Sequence, residues 1–147
     1  MSLTLQTIQK INSVKKMLVR QTEWELLEVS KQQSEASELL NRMQDEVDHL
    51  HFKFNQKRAS GGSAAELAAW GEWLNFQRQM IQDQVALCQK LLEKMESSRC
   101  KLAERQRDEE IWQQLKDKQI EIRNEELKRQ EQAELDEISL QSRRFRL

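Results

Sequence analysis

A seven-residue repeat in the second half of the chain constrains the fold more than any other feature of the sequence. Six apolar residues, one of them a cysteine, follow one another at intervals of seven: Leu67, Leu74, Ile81, Cys88, Met95 and Leu102. An isolated α-helix drifts by about 20° per heptad against such a repeat. The pattern therefore predicts a long helix that packs along a partner helix.

The first half of the chain offers that partner. Apolar residues there alternate at spacings of three and four, as in a coiled-coil seam: Leu40, Met43, Val47, Leu50 and Phe54. A similar stripe opens the chain, with Leu5, Ile8, Ile11, Val14 or Lys15, and Leu18. The two stripes are separated by the polar residues 30–35. The sequence thus predicts two helices that pack on each other.

The break between the two helices is the stretch 58–65, which holds two of the three glycines. Gly62-Ser63 is expected to take backbone conformations that other residues avoid, and Ser63 to cap the second helix with Glu66 as its capping-box partner. A phosphate-binding loop is excluded, because Lys57 precedes the glycines whereas that motif needs Gly-Lys-Ser/Thr. The break is therefore a turn.

The 147-residue chain has no proline and 33% charged residues, so it holds too few turn residues for a β-rich or mixed fold. The predicted fold is all-α: a long two-helix antiparallel coiled-coil hairpin with an overhanging C-terminal helix. We expect a single domain, 1–147, with helix one at about 3–58, the turn at about 59–65 and helix two at about 66–142. The second helix then overhangs the first by roughly 25 residues at 1.5 Å each.

Folding at the glycines places residue i opposite about residue 123 − i. This brings the first 22 residues, which are basic and hold no acidic side chain, alongside Asp108–Glu110. Residues 103–110 contain no large apolar side chain. The seam of the second helix is therefore expected to pause there and to resume in a new phase at Ile111, Leu115 and Ile122.

The sequence offers no site for chemistry. Cys88 and Cys100 fit no Cys-x-x-Cys spacing, and His49 and His51 lie two residues apart, so a helix would point them away from each other. We expect a non-enzymatic protein without cofactors or metals. The net charge of −1 argues against nucleic acid as a partner. The absence of a long apolar stretch and of a secretory signal predicts a cytoplasmic protein with no transmembrane segment.

Two tryptophan motifs in the second helix resemble those of a known family. Trp73-Leu74-Asn75-Phe76-Gln77 resembles the Trp-x-Asn-aromatic-Gln element of the flagellar export stalk family FliJ. Trp112-Gln113-x-Leu115-x-Asp117-x-Gln119 is similar to that family's second tryptophan motif, and Asp136-Glu137 stands at its Asp-Glu position. Arg129, Glu131 and Gln132 fit in between without a gap, and basic residues end the chain, Arg143, Arg144 and Arg146.

This resemblance implies a stalk in the ring of the type III export ATPase (FliI-like), with both helix termini in the ring. It also implies contacts with the membrane export gate protein (FlhA-like) and with export chaperones, peripherally at the inner membrane of the flagellar base, in flagellum biogenesis, motility and chemotaxis. The export-gate contact would comprise Trp73, Phe76, Gln77 and Met80. The ATPase-ring contact would comprise Gln113, Asp117, Gln119, Arg129, Asp136 and Glu137.

Simpler explanations stay open for several of these residues. Trp70, Trp73 and Phe76 either cover the end of the seam near the turn or contact a partner. Relatives often carry a large apolar residue where this chain has Gln79, so the gate contact is expected to shift to Met80 or Ile81.

Farther along the second helix, Trp112 is expected to pack on the first helix beside Ile111 and Leu115, whereas Gln113, Asp117 and Gln119 are expected to lie away from the seam. Two alternative functions also stay open. One is the equivalent stalk of a virulence-type secretion injectisome, and the other is an unrelated structural coiled-coil scaffold.

Overall fold

The computed structural model describes residues 4–145 and consists of two α-helices. α1 spans Leu5–Ala59, and α2 spans Ala64–Phe145 and returns antiparallel to it. The predicted all-α antiparallel hairpin is confirmed. No separate overhanging helix is present among the described residues, because α2 continues unbroken to Phe145. The predicted start of helix one at residue 3 and the terminal Arg146 lie outside the described residues.

Local hydrogen bonds fix the start of α1 and the turn. The backbone N–H of Thr7 donates to Thr4 Oγ1 (3.2 Å), which makes Thr4 the N-cap of α1. At the other end, the N–H of Ser60 donates to the carbonyl of Lys57 (3.2 Å) and that of Gly61 to Arg58 (3.3 Å). Gly61 then takes a φ of 95°, so the position that needs glycine is Gly61 and not Gly62 as expected.

Ser63 caps α2 as the sequence predicts, but within the described residues the Glu66 carboxylate does not accept a hydrogen bond from the Ser63 N–H to complete the predicted capping box. The Ser63 Oγ accepts a hydrogen bond from the backbone N–H of Glu66 (3.2 Å), which satisfies one of the free donors of the first turn. Glu66 is also the acidic residue of that turn, where a negative charge interacts favourably with the helix dipole. The four residues 60–63 therefore complete the reversal without any long loop.

Residues 22–101 form one compact unit. Its seam residues follow seven-residue series: Thr22, Val29, Ala36, Met43 and Leu50 on α1, and Leu74, Ile81, Cys88 and Met95 on α2. Ala36 and Cys88 are buried on facing helices. Close packing there lets Gln84 Nε2 donate to the carbonyl of Ala36 across the seam (2.9 Å). This contact lies within three residues of the predicted pairing.

The described residues 4–21 and 102–145 form a second compact unit. Ile8 and Asn12 are buried in it, and Lys15 Nζ lies 2.6 Å from Asp108 Oδ2. The predicted pairing of the basic start with Asp108 is therefore confirmed. Lys15 takes the seam position, whereas Val14 is exposed.

The predicted change of phase at Ile111 is wrong. Ile111 is 62% exposed and Ile122 is also exposed. Leu115 is half-buried as expected, but Arg105, Trp112 and Gln119 are half-buried too and continue the seven-residue spacing of Leu91 and Ser98 without a shift. Charged and amide side chains thus occupy seam positions where apolar residues are expected. This is possible because a long side chain can bury its aliphatic stem and keep its polar end in water.

Candidate functional site

Three aromatic rings stack near the turn, within the unit 22–101. The rings of Phe54 and Trp70 are 4.5 Å apart and nearly parallel (7°), and those of Trp70 and Trp73 are 4.8 Å apart at 26°. Phe54 comes from α1, and the two tryptophans are three residues apart on α2, so they lie on neighbouring parts of one helix face. His51 stacks more loosely on Trp70, at 6.3 Å. We call Phe54, Trp70 and Trp73 the aromatic cluster.

The aromatic cluster borders an open groove between the two helices. The groove has a volume of about 610 Å³. Its remaining lining residues are Glu46, Leu50, Lys57, Glu66, Ala69 and Gln77. Trp73 and Gln77, two of the predicted gate-contact residues, therefore lie in this groove. We call it the turn groove.

The other two predicted gate-contact residues are exposed side chains of α2. Phe76 is 61% exposed, and Met80 is also exposed. Leu87 is exposed as well and is 11 residues from Phe76, about three helical turns, so it lies on nearly the same line. We call Phe76, Met80 and Leu87 the exposed apolar face. Leu87 is not among the predicted contact residues, although its spacing of 11 residues from Phe76 places it on the same helix face.

Trp70, Trp73 and Phe76 have different surroundings. Trp70 packs between Phe54 and Trp73 and so covers the seam. Phe76 takes no part in those ring contacts and faces outward. Gln79, the residue where relatives often have an apolar side chain, donates instead to Asp83 one turn later (3.2 Å). The outward apolar surface therefore continues through Met80, whereas Ile81 is half-buried in the seam.

A chain of amide hydrogen bonds marks the unit of 4–21 and 102–145. Asn12 Nδ2 donates to Gln113 Oε1 (2.9 Å), and Gln113 Nε2 donates to Asp117 Oδ1 (3.0 Å). The expectation that Gln113 and Gln119 lie away from the seam is wrong, because both are half-buried and Gln113 contacts α1. Asp117 is exposed, as expected, and Trp112 is half-buried. Gln113 is therefore partly a structural residue.

The last 25 described residues contain no buried or half-buried position. Every residue from 121 to 145 is exposed, including Arg129, Asp136 and Glu137. Asp136 Oδ1 accepts a hydrogen bond from Gln132 Nε2 within the helix (3.0 Å). We call 121–145 the terminal segment. Its predicted contact residues are thus available to a partner, but no other part of the described chain holds them in place.

Comparison with known proteins decides the family. The family model described as "Flagellar FliJ protein" matches residues 4–146. The chain belongs to the flagellar FliJ family. No curated protein and no solved structure matches the chain.

As a member of the FliJ family, the chain is a non-enzymatic stalk component of the flagellar export apparatus. The match includes both tryptophan motifs, the turn groove and the terminal segment. Its partners therefore belong to that apparatus at the flagellar base. Neither helix, over the residues described, has a stretch long and apolar enough to cross a bilayer.

Proposed function

We propose that the terminal segment of this FliJ-family stalk enters the pore of the export ATPase ring, on the cytoplasmic side of the membrane, as an overhang beyond α1. The observation that carries the proposal is the complete exposure of residues 121–145. Most of the stability of a helix in a protein comes from packing of one of its faces, which the terminal segment lacks, so a partner that surrounds it would stabilise it. A ring pore supplies such surroundings.

The pairing of the helices supports an overhang. Asn12 and Gln113 are joined by a hydrogen bond, so Leu5, seven residues earlier, faces about residue 120. The described part of α1 therefore has no residue opposite the terminal segment.

The terminal segment also carries an apolar line suited to contact with a partner. Leu127, Ile138 and Phe145 are spaced by 11 and 7 residues, each within about 20° of a whole number of helical turns. Phe145 is 90% exposed. Leu140 is equally apolar but lies on another side of the helix, because two residues turn it by about 200° from Ile138. The pore contact is therefore expected along one line of the helix.

Truncation tests the stalk role directly. A variant that ends at Ile122 should keep its helicity per residue, because the removed residues bury nothing against the rest of the chain. It should no longer stimulate the cognate export ATPase. A matched pair of point variants refines the test: Ile138→Ser should weaken stimulation, and Leu140→Ser should leave it close to that of the native chain. Full stimulation by the truncated protein would contradict the proposal.

The exposed apolar face, with Trp73 and Gln77 beside it, is proposed to contact the membrane export gate protein, and chaperones of export substrates are proposed as further partners. Three large apolar side chains exposed along one line of a helix are typical of a protein contact. Phe76→Ala with Met80→Ala should reduce binding of a soluble gate fragment in a pull-down. It should spare ATPase stimulation.

Leu92→Ala is the control for that experiment, since Leu92 is exposed to the same degree as Met80 on the other flank of α2. Equal loss of gate binding in both variants would mean that the exposed apolar face has no particular role. Loss of ATPase stimulation together with gate binding would mean that the two contacts are not separate.

A further inference from the structure

The turn groove combines flat aromatic surface with negative charge. Two of its lining residues, Glu46 and Glu66, are carboxylates, and Lys57 is its one cation, so the lining carries a net charge of −1. Among the described residues, no ion pair within 4.0 Å joins Lys57 to either carboxylate, and neither carboxylate pairs with any other cation. Both are exposed. The groove thus presents unpaired negative charge beside stacked rings.

This combination selects cations. The face of an indole ring attracts a cation through its quadrupole, and tryptophan does so better than the other aromatic residues. A carboxylate next to the ring adds a charge-assisted hydrogen bond. An anionic group could pair only with Lys57 and would be repelled by the two carboxylates, and a wholly apolar group would leave both carboxylates unpaired.

We propose that the turn groove binds an arginine side chain from a partner protein, with the guanidinium against Trp73, the outer tryptophan of the aromatic cluster, and paired with Glu46 or Glu66. Arginine fits better than lysine for two reasons. Its planar guanidinium stacks on aromatic faces and is more weakly hydrated than an ammonium group. Its donors also match a carboxylate in two parallel hydrogen bonds.

The size and place of the groove agree with a side chain as occupant. It is open along the surface and has a volume of about 610 Å³, so it can take an arginine with its aliphatic neighbours. Leu50 and Ala69 supply apolar wall for those neighbours. The occupant is therefore a short partner segment with an arginine between aliphatic residues.

This inference rests on the proposed gate contact only for the choice of partner. The turn groove adjoins the exposed apolar face through Trp73, which lines the groove three residues before Phe76. A gate segment that covers Phe76 and Met80 would reach the groove with one side chain. The recognition chemistry of the groove can be tested without the gate protein.

The test uses the full chain, labelled with 15N at the indole nitrogens, and the peptide acetyl-Leu-Arg-Leu-amide. Titration should shift the indole N–H signals of Trp70 and Trp73, and leave those of Trp24 and Trp112 unchanged. The citrulline peptide, which keeps the shape of arginine without its charge, should bind about tenfold more weakly. The lysine peptide should fall between them.

Two charge-matched variants locate the site. Glu46→Gln with Glu66→Gln should weaken binding of the arginine peptide to the level of the citrulline peptide. Both positions are exposed, so the fold should not change. Glu38→Gln with Glu93→Gln removes two exposed carboxylates elsewhere in the same unit and should leave binding unchanged. Equal binding of the arginine and citrulline peptides, or equal loss in both variants, would overturn the inference.

A pull-down with the gate fragment separates this inference from the proposed function. If the fragment binds the native chain and the Glu46→Gln, Glu66→Gln variant equally, the gate contact stands and the arginine site is refuted as part of it. If the peptide binds as expected and the gate fragment does not bind at all, the arginine site stands and the gate contact fails.

Discussion

Asn12 is a buried amide whose removal should stabilise the protein. It is 2% exposed, and its Nδ2 donates to Gln113 Oε1 at 2.9 Å. Its Oδ1 is buried without a hydrogen-bond partner in the described structure. Replacing Asn12 by leucine, which has a similar size, tests how much this polar position costs.

The expected gain can be worked out from these contacts. Burial of a leucine side chain contributes about 1.5–3 kcal/mol, and loss of an unsatisfied buried acceptor recovers about 1–3 kcal/mol. Against this stands the loss of one hydrogen bond, about 0.5–1.5 kcal/mol, because the half-buried Gln113 can turn its Oε1 to water. Imperfect packing of the branched side chain costs about 1 kcal/mol or more. Asn12→Leu should therefore raise the free energy of unfolding by about 2 kcal/mol.

Removing the other partner of this hydrogen bond, Gln113, should lower the stability. Gln113→Ala leaves both polar atoms of Asn12 buried and unpaired, so it should lower the free energy of unfolding by about 1–3 kcal/mol. Gln106→Ala is the control, since Gln106 is an exposed glutamine of the same unit and helix. It should change stability by less than about 0.5 kcal/mol.

Urea unfolding followed by circular dichroism measures the change in the free energy of unfolding for each variant. Hydrogen exchange of the α1 amides near Asn12 places the effect in the unit of 4–21 and 102–145. A lower stability of Asn12→Leu would refute the prediction. It would mean that both polar atoms of the amide are hydrogen-bonded, or that the folded chain needs the amide. Equal effects of Gln113→Ala and Gln106→Ala would refute the role of the hydrogen bond.

Three further predictions follow from the turn and the seam. Gly61→Ala should destabilise the protein by about 1 kcal/mol because alanine resists a positive φ, whereas Gly62→Ala, with only an ordinary contact to Glu66, should be neutral in thermal melts. Ala36→Cys with Gln84→Cys, in a background without the native cysteines, should form a disulfide within one chain; a link only between chains would exclude the antiparallel hairpin in solution. Ile81→Asp should cost about 2–4 kcal/mol in urea unfolding, because it removes apolar contact from the seam and leaves an unpaired charge; a change as small as that of an exposed Glu→Gln variant would mean that Ile81 lies outside the seam.

Most of the fold could be predicted because its determinants are local or periodic. The predicted seven-residue series lies in the seam from Leu74 to Leu102, with Cys88 buried, whereas its first member, Leu67, is exposed. Ser63 caps α2, and Lys15 pairs with Asp108 at the predicted register. These features depend on spacing along a helix and on one short turn, and both can be counted in the sequence.

The phase of the seam could not be predicted where it becomes polar. Ile111 and Trp112 are adjacent, and both are expected to pack in the seam. Ile111 is exposed, whereas Trp112 is half-buried. Counting apolar residues fails there, because Asn12, Lys15, Arg105 and Gln119 hold seam positions through hydrogen bonds, an ion pair or buried aliphatic stems. The motif therefore predicts a partner contact for Gln113, whereas in the structure Gln113 accepts a hydrogen bond from Asn12 of α1.

The polar seam has a consequence for the proposed stalk. A slip of α2 by one heptad against α1 would move the terminal segment by about 10 Å at 1.5 Å per residue, and with it every contact in a ring pore. An apolar seam with a strict repeat resists such a slip only weakly, because each apolar side chain finds an equivalent neighbour seven residues away. A seam with a buried asparagine resists such a slip, because the asparagine would lose its hydrogen-bond partner. The hydrogen bond from Asn12 to Gln113 and the ion pair from Lys15 to Asp108 thus specify the register of this unit, so Asn12→Leu should gain stability at the expense of a single defined register.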